Sequence, residues 1–448
     1  MIPYQVPPHS LEAEQAVLGG LMLDNKTWHL IADQLRAEDF YRNEHRMIFS
    51  AIAELAERSE PFDVITISEV LEGQPGAGGL GYLSELAKNI PSVANIESYA
   101  RVVADRGHLR QLISIGHEQI RIASQPSVNA QDAHEHCEKA LFALGQRSSK
   151  VEFVPIPEVL GKVIDQIDRN FNSGESLTGL PSELPDLDEV TAGFQPSDLI
   201  IVAGRPSMGK TALALNWVAP ALRAKPDHSV QIYSLEMATD KLVYRLLAGL
   251  GRIDLSRLLK GQLEEEDWSK LSTAVAKMQQ FADRLMIDET ANISPTDLRA
   301  RARRAAKKYG PPALILVDYL QLMRCPGTEN RTLEIGEISR SLKALAKEHS
   351  CPVVALSQLN RELERRPNKR PVNADLRESG AIEQDADLIM FVYRDEVYHP
   401  DSELQGVAEL IIGKNRNGPI GTVRTAFIAH ETRFAPLAPT PFASGNFR

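Results

Sequence analysis

The sequence predicts two architectures in one chain: an all-helical N-terminal part and, beyond a linker, an α/β domain with a mostly parallel sheet flanked by helices. Three observations carry this. Apolar residues recur at three- and four-residue spacing through the first part of the chain. Past residue 172, short apolar runs of strand length alternate with helical stretches. One of those runs leads into a glycine-rich loop that a helix follows.

Length and composition agree with this division. At 448 residues the chain is long enough for two or three domains with cores of their own. Hydrophobic residues at 43% and charged residues at 25% exclude a disordered or fibrous chain. No apolar run approaches the ~20 residues that a membrane span needs. The opening Met-Ile-Pro-Tyr-Gln-Val-Pro-Pro-His-Ser lacks the basic region and apolar core of a secretory signal, so a cytoplasmic location is expected. Cys137, Cys325 and Cys351 form no CxxC pair, which excludes a disulfide framework and a cysteine zinc site. The cluster His134-Glu-His136-Cys137 is a poor ligand set, because helix positions 134 and 136 diverge by about 200°. With 50 basic against 60 acidic residues the net charge is −10, so any nucleic-acid contact must be local.

Taken in order, Ser10 is a helix-cap candidate before the stripe Ala13, Val17, Leu18, Leu21 and Met22. The same spacing returns at Ile48, Ile52 and Leu55, and at Ile96, Tyr99, Ala100 and Val103. The helical domain is expected to fill residues 1–145, with a linker and linker helix at 146–175. Two prolines break the helical period across 146–157. Leu160, Val163, Ile164, Ile167 and Phe171 then form an apolar stripe that must cover either its own domain or a neighbouring subunit. Strands are predicted at 199–203, 230–234, 313–317, 352–356 and 387–393. Their apolar character on both faces indicates a buried parallel sheet. The α/β domain is expected to span 176–434, and a loose Pro-, Ala- and Ser-rich tail to occupy 435–448.

Gly-Arg-Pro-Ser-Met-Gly-Lys-Thr at 204–211 is the phosphate-loop pattern in its required strand-loop-helix setting. Gly204, Ser207 and Gly209 let backbone amides turn inward, and the helix start at Lys210, Thr211 and Ala212 adds its positive end. Lys210 can reach the β- and γ-phosphates of ATP while the Thr211 hydroxyl binds Mg²⁺. Three further strand ends supply chemistry. Asp318 closes a strand and can hold Mg²⁺, Glu236 can orient and deprotonate the attacking water, and Gln358 can report on the γ-phosphate. One acid at a strand end is as readily a loop residue or a cap; several around one phosphate loop indicate an ATPase.

The phosphate loop, Ser-Leu-Glu-Met at 234–237, Ile-Leu-Val-Asp-Tyr-Leu-Gln-Leu at 315–322, Ala-Leu-Ser-Gln-Leu-Asn-Arg at 355–361, Asp-Leu-Arg-Glu-Ser-Gly-Ala-Ile-Glu-Gln-Asp-Ala-Asp at 375–387 and Lys-Asn-Arg-Asn-Gly at 414–418 together resemble the DnaB family of bacterial replicative DNA helicases. So do Pro-Pro-His-Ser-Leu-Glu-Ala-Glu-Gln at 7–15 and Val-Leu-Gly-Gly-Leu at 17–21, so the resemblance runs along nearly the whole chain.

The resemblance implies a RecA-like ATPase domain, a homohexameric ring with ATP at each subunit interface, and 5′–3′ movement on single-stranded DNA by strand exclusion. It implies an N-terminal collar that binds primase, with a helicase loader and a clamp-loader subunit as further partners. Lys414 and Arg416 match the basic pair that a neighbouring subunit supplies, Arg416 as the arginine finger. Read from the residues alone, the pair is equally a basic hairpin tip. Arg377, Glu378 and Gly380 match the loop that grips the DNA backbone, and Arg361, Arg365, Arg366, Lys369 and Arg370 lie just before it. The basic run at 299–308 reads as a solvated helix face. Ala192 and Ser197 stand where the family often has glycine, which puts only local loop geometry in question. The competing readings are a RecA-like recombination or repair ATPase and, from another class, a small-molecule P-loop kinase.

Overall fold

The Ser10 hydroxyl accepts a hydrogen bond from the Ala13 amide at 3.3 Å and so starts the first helix, Leu11–Leu23. This is a computed structural model; it describes residues 6–437 apart from 75, 77, 89–92, 127, 131–132, 134–135, 138–139, 142–143, 145–154, 174–176, 326–329 and 377–379. The chain divides into two units, Met1–Phe153 and Val154–Arg448.

In the first unit, helices Leu11–Leu23, Asn43–Glu57, Val64–Val70, Gly79–Lys88 and Ile96–Ala123 bury the anticipated stripes in one core of Val17, Leu18, Leu21, Ile48, Ile52 and Ala100. A polar relay runs through that core. His45 sits between the Glu14 carboxylate, 2.6 Å from Nδ1, and the Tyr82 hydroxyl, 2.7 Å from Nε2, so both ring nitrogens are satisfied.

The second unit opens with the helix Ile156–Ser173. The expected linker therefore stops short of Pro157, because proline in a first helical turn gives up an amide that has no partner there anyway. Within this unit the stripe faces outward: Val163, Ile164 and Ile167 are exposed and Phe171 is 85% exposed.

Among the described residues the sheet has nine strands: β1 (Leu199–Gly204), β2 (Ser229–Ser234), β3 (Leu285–Asp288), β4 (Pro312–Asp318), β5 (Val353–Gln358), β6 (Leu388–Tyr393), β7 (Val407–Asn415), β8 (Gly421–Ile428) and β9 (Arg433–Pro436), in spatial order β3-β2-β4-β5-β1-β6-β7-β8-β9. The strands from β3 through β6 pair in parallel, while β7, β8 and β9 add an antiparallel edge. All five predicted strands are present. The short β3 and the antiparallel β8 and β9 were not anticipated, and β9 carries ordered strand into Ala435 and Pro436, where a tail was expected. Phe434, buried against Phe427 at 4.9 Å between ring centroids, holds that strand down. The helix after the phosphate loop is Lys210–Asn216, beginning at the lysine itself. Ala192 and Ser197 adopt φ of 54° and 67°, the left-handed region that favours glycine.

Candidate functional site

Parallel pairing places the C-terminal ends of β1, β2, β4 and β5 on one edge of the sheet, where open α/β sheets gather ligands. The register sets Gly204 beside Gln358 and Ser234 beside Asp318, so the strand-end residues named from the sequence share this edge.

The loop between β1 and the helix Lys210–Asn216 turns through Ser207 at φ 68° and Gly209 at φ 101°. Gly209 is required twice over: its backbone is left-handed, and a Cβ there would lie 3.1–3.3 Å from the Phe434 and Phe427 rings. Lys210 Nζ donates to the loop's own carbonyls, Gly204 at 2.9 Å and Arg205 at 3.3 Å. Burial lowers the Lys210 pKa, partly countered by the charges of Asp318 and Glu236. Such an ammonium gains from an anionic phosphate.

Thr211 Oγ1 donates to Asp318 Oδ2 at 2.9 Å, so the two predicted metal residues are in direct contact. Asp318 is 6% exposed. Burial raises its pKa and the Glu236 charge adds to the rise, while the Thr211 hydrogen bond and Lys210 oppose it. A hard divalent cation suits this oxygen pair and would offset the penalty that burial and Glu236 impose, so the donor set fits Mg²⁺. Glu236 follows β2 on an exposed turn, close enough for its charge to act on both Lys210 and Asp318. Ala212 is buried in the first turn of the loop's helix.

Gln358 ends β5, and its side chain lines a cavity of about 740 Å³ together with Arg205, Gln321, Arg324, Arg331 and Arg361. Two residues here escaped the sequence reading. Arg205, inside the phosphate loop, is buried and donates to the Leu359 carbonyl at 2.9 Å and to Glu364 at 2.8 Å. Gln321 grips the backbone of Gln358 itself. The only sequence signal for Gln321 was its place just after Asp318.

Lys414 and Arg416 lie elsewhere. Arg416 donates from one guanidinium nitrogen to Asp387 Oδ1 at 3.0 Å and from another to the Gln384 carbonyl at 3.1 Å. Lys414 Nζ donates to the Glu383 and Gln384 carbonyls at the end of the helix Gly380–Asp385, where cations suit the helix dipole. Burial and the neighbouring Arg416 charge lower the Lys414 pKa. Asp387 also accepts the Leu199 amide at 2.8 Å, which puts the pair at the start of β1. The phosphate loop begins at the other end of that strand, about 16 Å away at ~3.3 Å per residue. The structure does not bring Lys414 and Arg416 to their own Lys210.

Gly380 begins that same helix, exposed and with open space around it. Arg377 and Glu378 lie outside the described residues, but the residue before them does not: Leu376 forms an antiparallel bridge with Leu359, the neighbour of Gln358. Of the basic run that follows Gln358, Arg366 is tied to Asp375 at 2.6 Å and Arg370 to both oxygens of Glu409, while Arg361 and Arg365 are exposed. In the run at 299–308, Arg299 and Arg303 both meet Glu348 and Arg301 meets Asp288, as a solvated, ion-paired helix face would. His134 of the His-Glu-His-Cys cluster lies outside the described residues, and among those described no group of three or more potential ligands could hold a metal ion. No helix among them is long and apolar enough to cross a membrane.

Comparison with known proteins places these features in a family. The DnaB-like helicase C terminal domain matches residues 179–436 and the DnaB-like helicase N terminal domain residues 6–105. The replicative DNA helicase DnaB of Pasteurella multocida is 50% identical over 445 residues, covering 97% of this chain and 94% of that protein. Its counterpart from Haemophilus influenzae is 48% identical over 446 residues, with the same coverage of 97% and 94%. Among solved structures, a DnaB-like replicative helicase described with its interactions with primase aligns at a TM-score of 0.74 and 32% identity, covering 96% of this chain and 100% of that one.

Proposed function

The chain belongs to the DnaB family of replicative, ATP-dependent DNA helicases, and from that premise we propose that it works as a homohexamer with each ATP cleaved between two subunits. The observation that carries this reading is the placement of Arg416 and Lys414 at the opposite sheet edge from their own phosphate loop. A basic pair that cannot reach its own nucleotide is free to serve a neighbour's.

Within one such interface the residues divide the work. Gly204, Ser207 and Gly209 shape the amide cradle, Ala212 packs the helix start beneath it, and Lys210 exchanges its loop carbonyls for the β- and γ-phosphate oxygens. Thr211 and Asp318 would hold Mg²⁺, which supplies charge neutralisation to the phosphates. Glu236, exposed at the edge, takes the proton of the attacking water. The partner's Arg416 stabilises charge on the transferred phosphoryl group, with Lys414 beside it. Gln358 reads the γ-phosphate.

Arg377, Glu378 and Gly380 hold the single strand by its backbone, which suits a motor that must pass over any sequence. The Leu359–Leu376 bridge supports coupling, since it sets the neighbour of Gln358 against the residue preceding Arg377. Loss of γ-phosphate at one interface then shifts a DNA loop, and successive interfaces hand the strand 5′–3′ through the ring while its complement is excluded.

The same reading assigns residues 1–145 to a collar that binds primase, 146–175 to a linker, 176–434 to the motor and 435–448 to a tail. A loader and a clamp-loader subunit are its further partners. The decisive experiment is Lys210→Ala in the full chain. It should lose ATP hydrolysis and unwinding of a tailed duplex while keeping its circular dichroism spectrum. Unwinding at the wild-type rate by that variant would end the proposal, and homologous strand pairing in place of unwinding would point to a recombination ATPase.

A further inference from the structure

We propose that Gln321 is a positioning residue for the ATPase cycle: its side-chain amide stands in for a missing strand neighbour, holds the γ-phosphate sensor in register with the metal-binding strand end, and so links hydrolysis to the DNA loop. The proposal rests on the assignment of Gln358 as that sensor.

The pairing of β4 with β5 ends at Val317 and Ala355. Past that point the Asp318 chain turns away into a short helical turn, Leu320–Leu322, while β5 continues to Gln358. The backbone groups at the end of β5 would lose their neighbour on that side. Gln321 replaces it. Its Oε1 accepts the Gln358 N–H at 3.3 Å, and its Nε2 donates to the Gln358 carbonyl at 3.2 Å and to the Ser357 hydroxyl at 2.9 Å. One primary amide thus offers a donor and an acceptor to a single residue, as a paired peptide does, and only one orientation of the amide satisfies both.

The bracket is itself fixed at both ends. Arg331 donates to the Gln321 carbonyl, and Arg331 is in turn paired with Glu334. From the other side, Arg205 of the phosphate loop donates to the carbonyl of Leu359, the next residue along. Gln358 is therefore clasped between the strand that carries Asp318 and the loop that carries Lys210. Its own side-chain amide, by contrast, has no hydrogen-bond partner among the described residues, and Gln358 is one of the residues lining the cavity beside Arg205. Beyond it the Leu359–Leu376 bridge leads to Arg377. Among the described residues the Gln321 side chain hydrogen-bonds only Ser357 and Gln358, not the phosphate loop or Thr211, so its effect should fall on turnover and its DNA dependence rather than on nucleotide affinity.

The test uses the full-length protein with Gln321→Leu, Gln321→Glu and Gln358→Ala, and Gln321→Leu combined with Gln358→Ala. ATPase kcat and KM are measured with and without oligo(dT), alongside binding of a fluorescent ATP analogue and thermal melting. Gln321→Leu should lose about tenfold or more of the DNA-stimulated kcat while KM and analogue affinity stay within about twofold, because displacing a reacting-site group without touching the binding groups costs rate. Gln321→Glu keeps the acceptor for the Gln358 N–H and loses both donors, so it should fall between Gln321→Leu and wild type; it also decides the matter if the leucine variant does not fold.

The combined variant should be no slower than Gln358→Ala alone, since both act through one group. Multiplying losses, a loss confined to KM, or an unchanged DNA-stimulated kcat in both Gln321 variants would overturn the role of Gln321. A full DNA-stimulated rate in Gln358→Ala would instead remove the sensor assignment and the proposal with it.

Discussion

A finger supplied across an interface predicts that two inactive variants restore each other. Arg416→Ala leaves a subunit with an intact phosphate loop and Glu236 but nothing to offer its neighbour. Glu236→Ala leaves the reverse. Removing a finger costs roughly 10³–10⁵ in rate, or about 4–7 kcal/mol of barrier. Arg416 already holds Asp387 at 3.0 Å with its own side chain 52% exposed, and buried Asp387 keeps Lys343 and the Leu199 amide as partners when Arg416 leaves. The bond to Asp387 therefore does not outweigh insertion into a partner's site.

In an equimolar mixture, an interface works when the subunit with Arg416→Ala provides the phosphate loop and the subunit with Glu236→Ala provides the finger. With head-to-tail contacts and random placement that is about one interface in four. ATPase activity should rise from near zero toward about a quarter of the wild-type rate, a gain of at least a hundredfold over either parent. The assay mixes differently tagged chains and checks by native mass spectrometry that hybrid assemblies form. Hybrids no more active than the mean of their parents would refute the shared site.

Ala192→Gly and Ser197→Gly should each stabilise the motor unit by about 1 kcal/mol, because a side chain at φ 54° or 67° pays a steric cost that glycine avoids. Thermal melting reads this as a rise of about 2 °C per site, and a fall would mean that the loop relies on the side chains. Burial and the nearby Asp387 charge push the Asp198 carboxyl up to about 6, against the pull of Lys343 and Arg416. A raised acid pKa means that the folded state holds its proton better than the unfolded one, so ionised Asp198 costs stability above that value and nothing below about 4. Asp198→Asn should therefore raise the unfolding free energy at pH 8, read from denaturant titration, by an amount on the order of 1–2 kcal/mol, reduced for residual solvent access. The gain should shrink as pH falls through 6 and vanish near 4; an equal gain at pH 4 and pH 8 would remove the electrostatic cause.

The parallel strands were legible because burial on both faces leaves a run with no polar residue to confuse the period, as in Leu-Ile-Ile-Val-Ala at 199–203. The strands that were missed lack that mark. β8 reads Gly-Thr-Val-Arg-Thr-Ala-Phe-Ile and exposes one face, and β3 has only Leu-Met-Ile-Asp, half-buried at the edge. Their pairing comes from neighbours already in the sheet rather than from their own composition. The two positions where the resemblance leads one to expect glycine, Ala192 and Ser197, are both left-handed in backbone, so the expectation pointed to real geometry.

For the candidate site, the strand-end pattern was enough to anticipate that Lys210, Thr211, Glu236, Asp318 and Gln358 share one edge of the sheet, because parallel strands deliver their C-terminal ends there whatever lies between them. What sequence could not give is which side chains hold those residues still. Gln321 and Arg205 are ordinary polar residues in sequence, and their importance comes from contacts with Gln358 and Leu359, far along the chain. Arg416 shows the limit most sharply. Its motif suggested a nucleotide ligand, and a single chain offers it only Asp387 and a helix end, at the far edge of β1 from the phosphate loop. On the proposed reading its working partner belongs to another copy, and within one chain that leaves no trace beyond its distance from its own site; whether such a partner exists is what the complementation experiment tests.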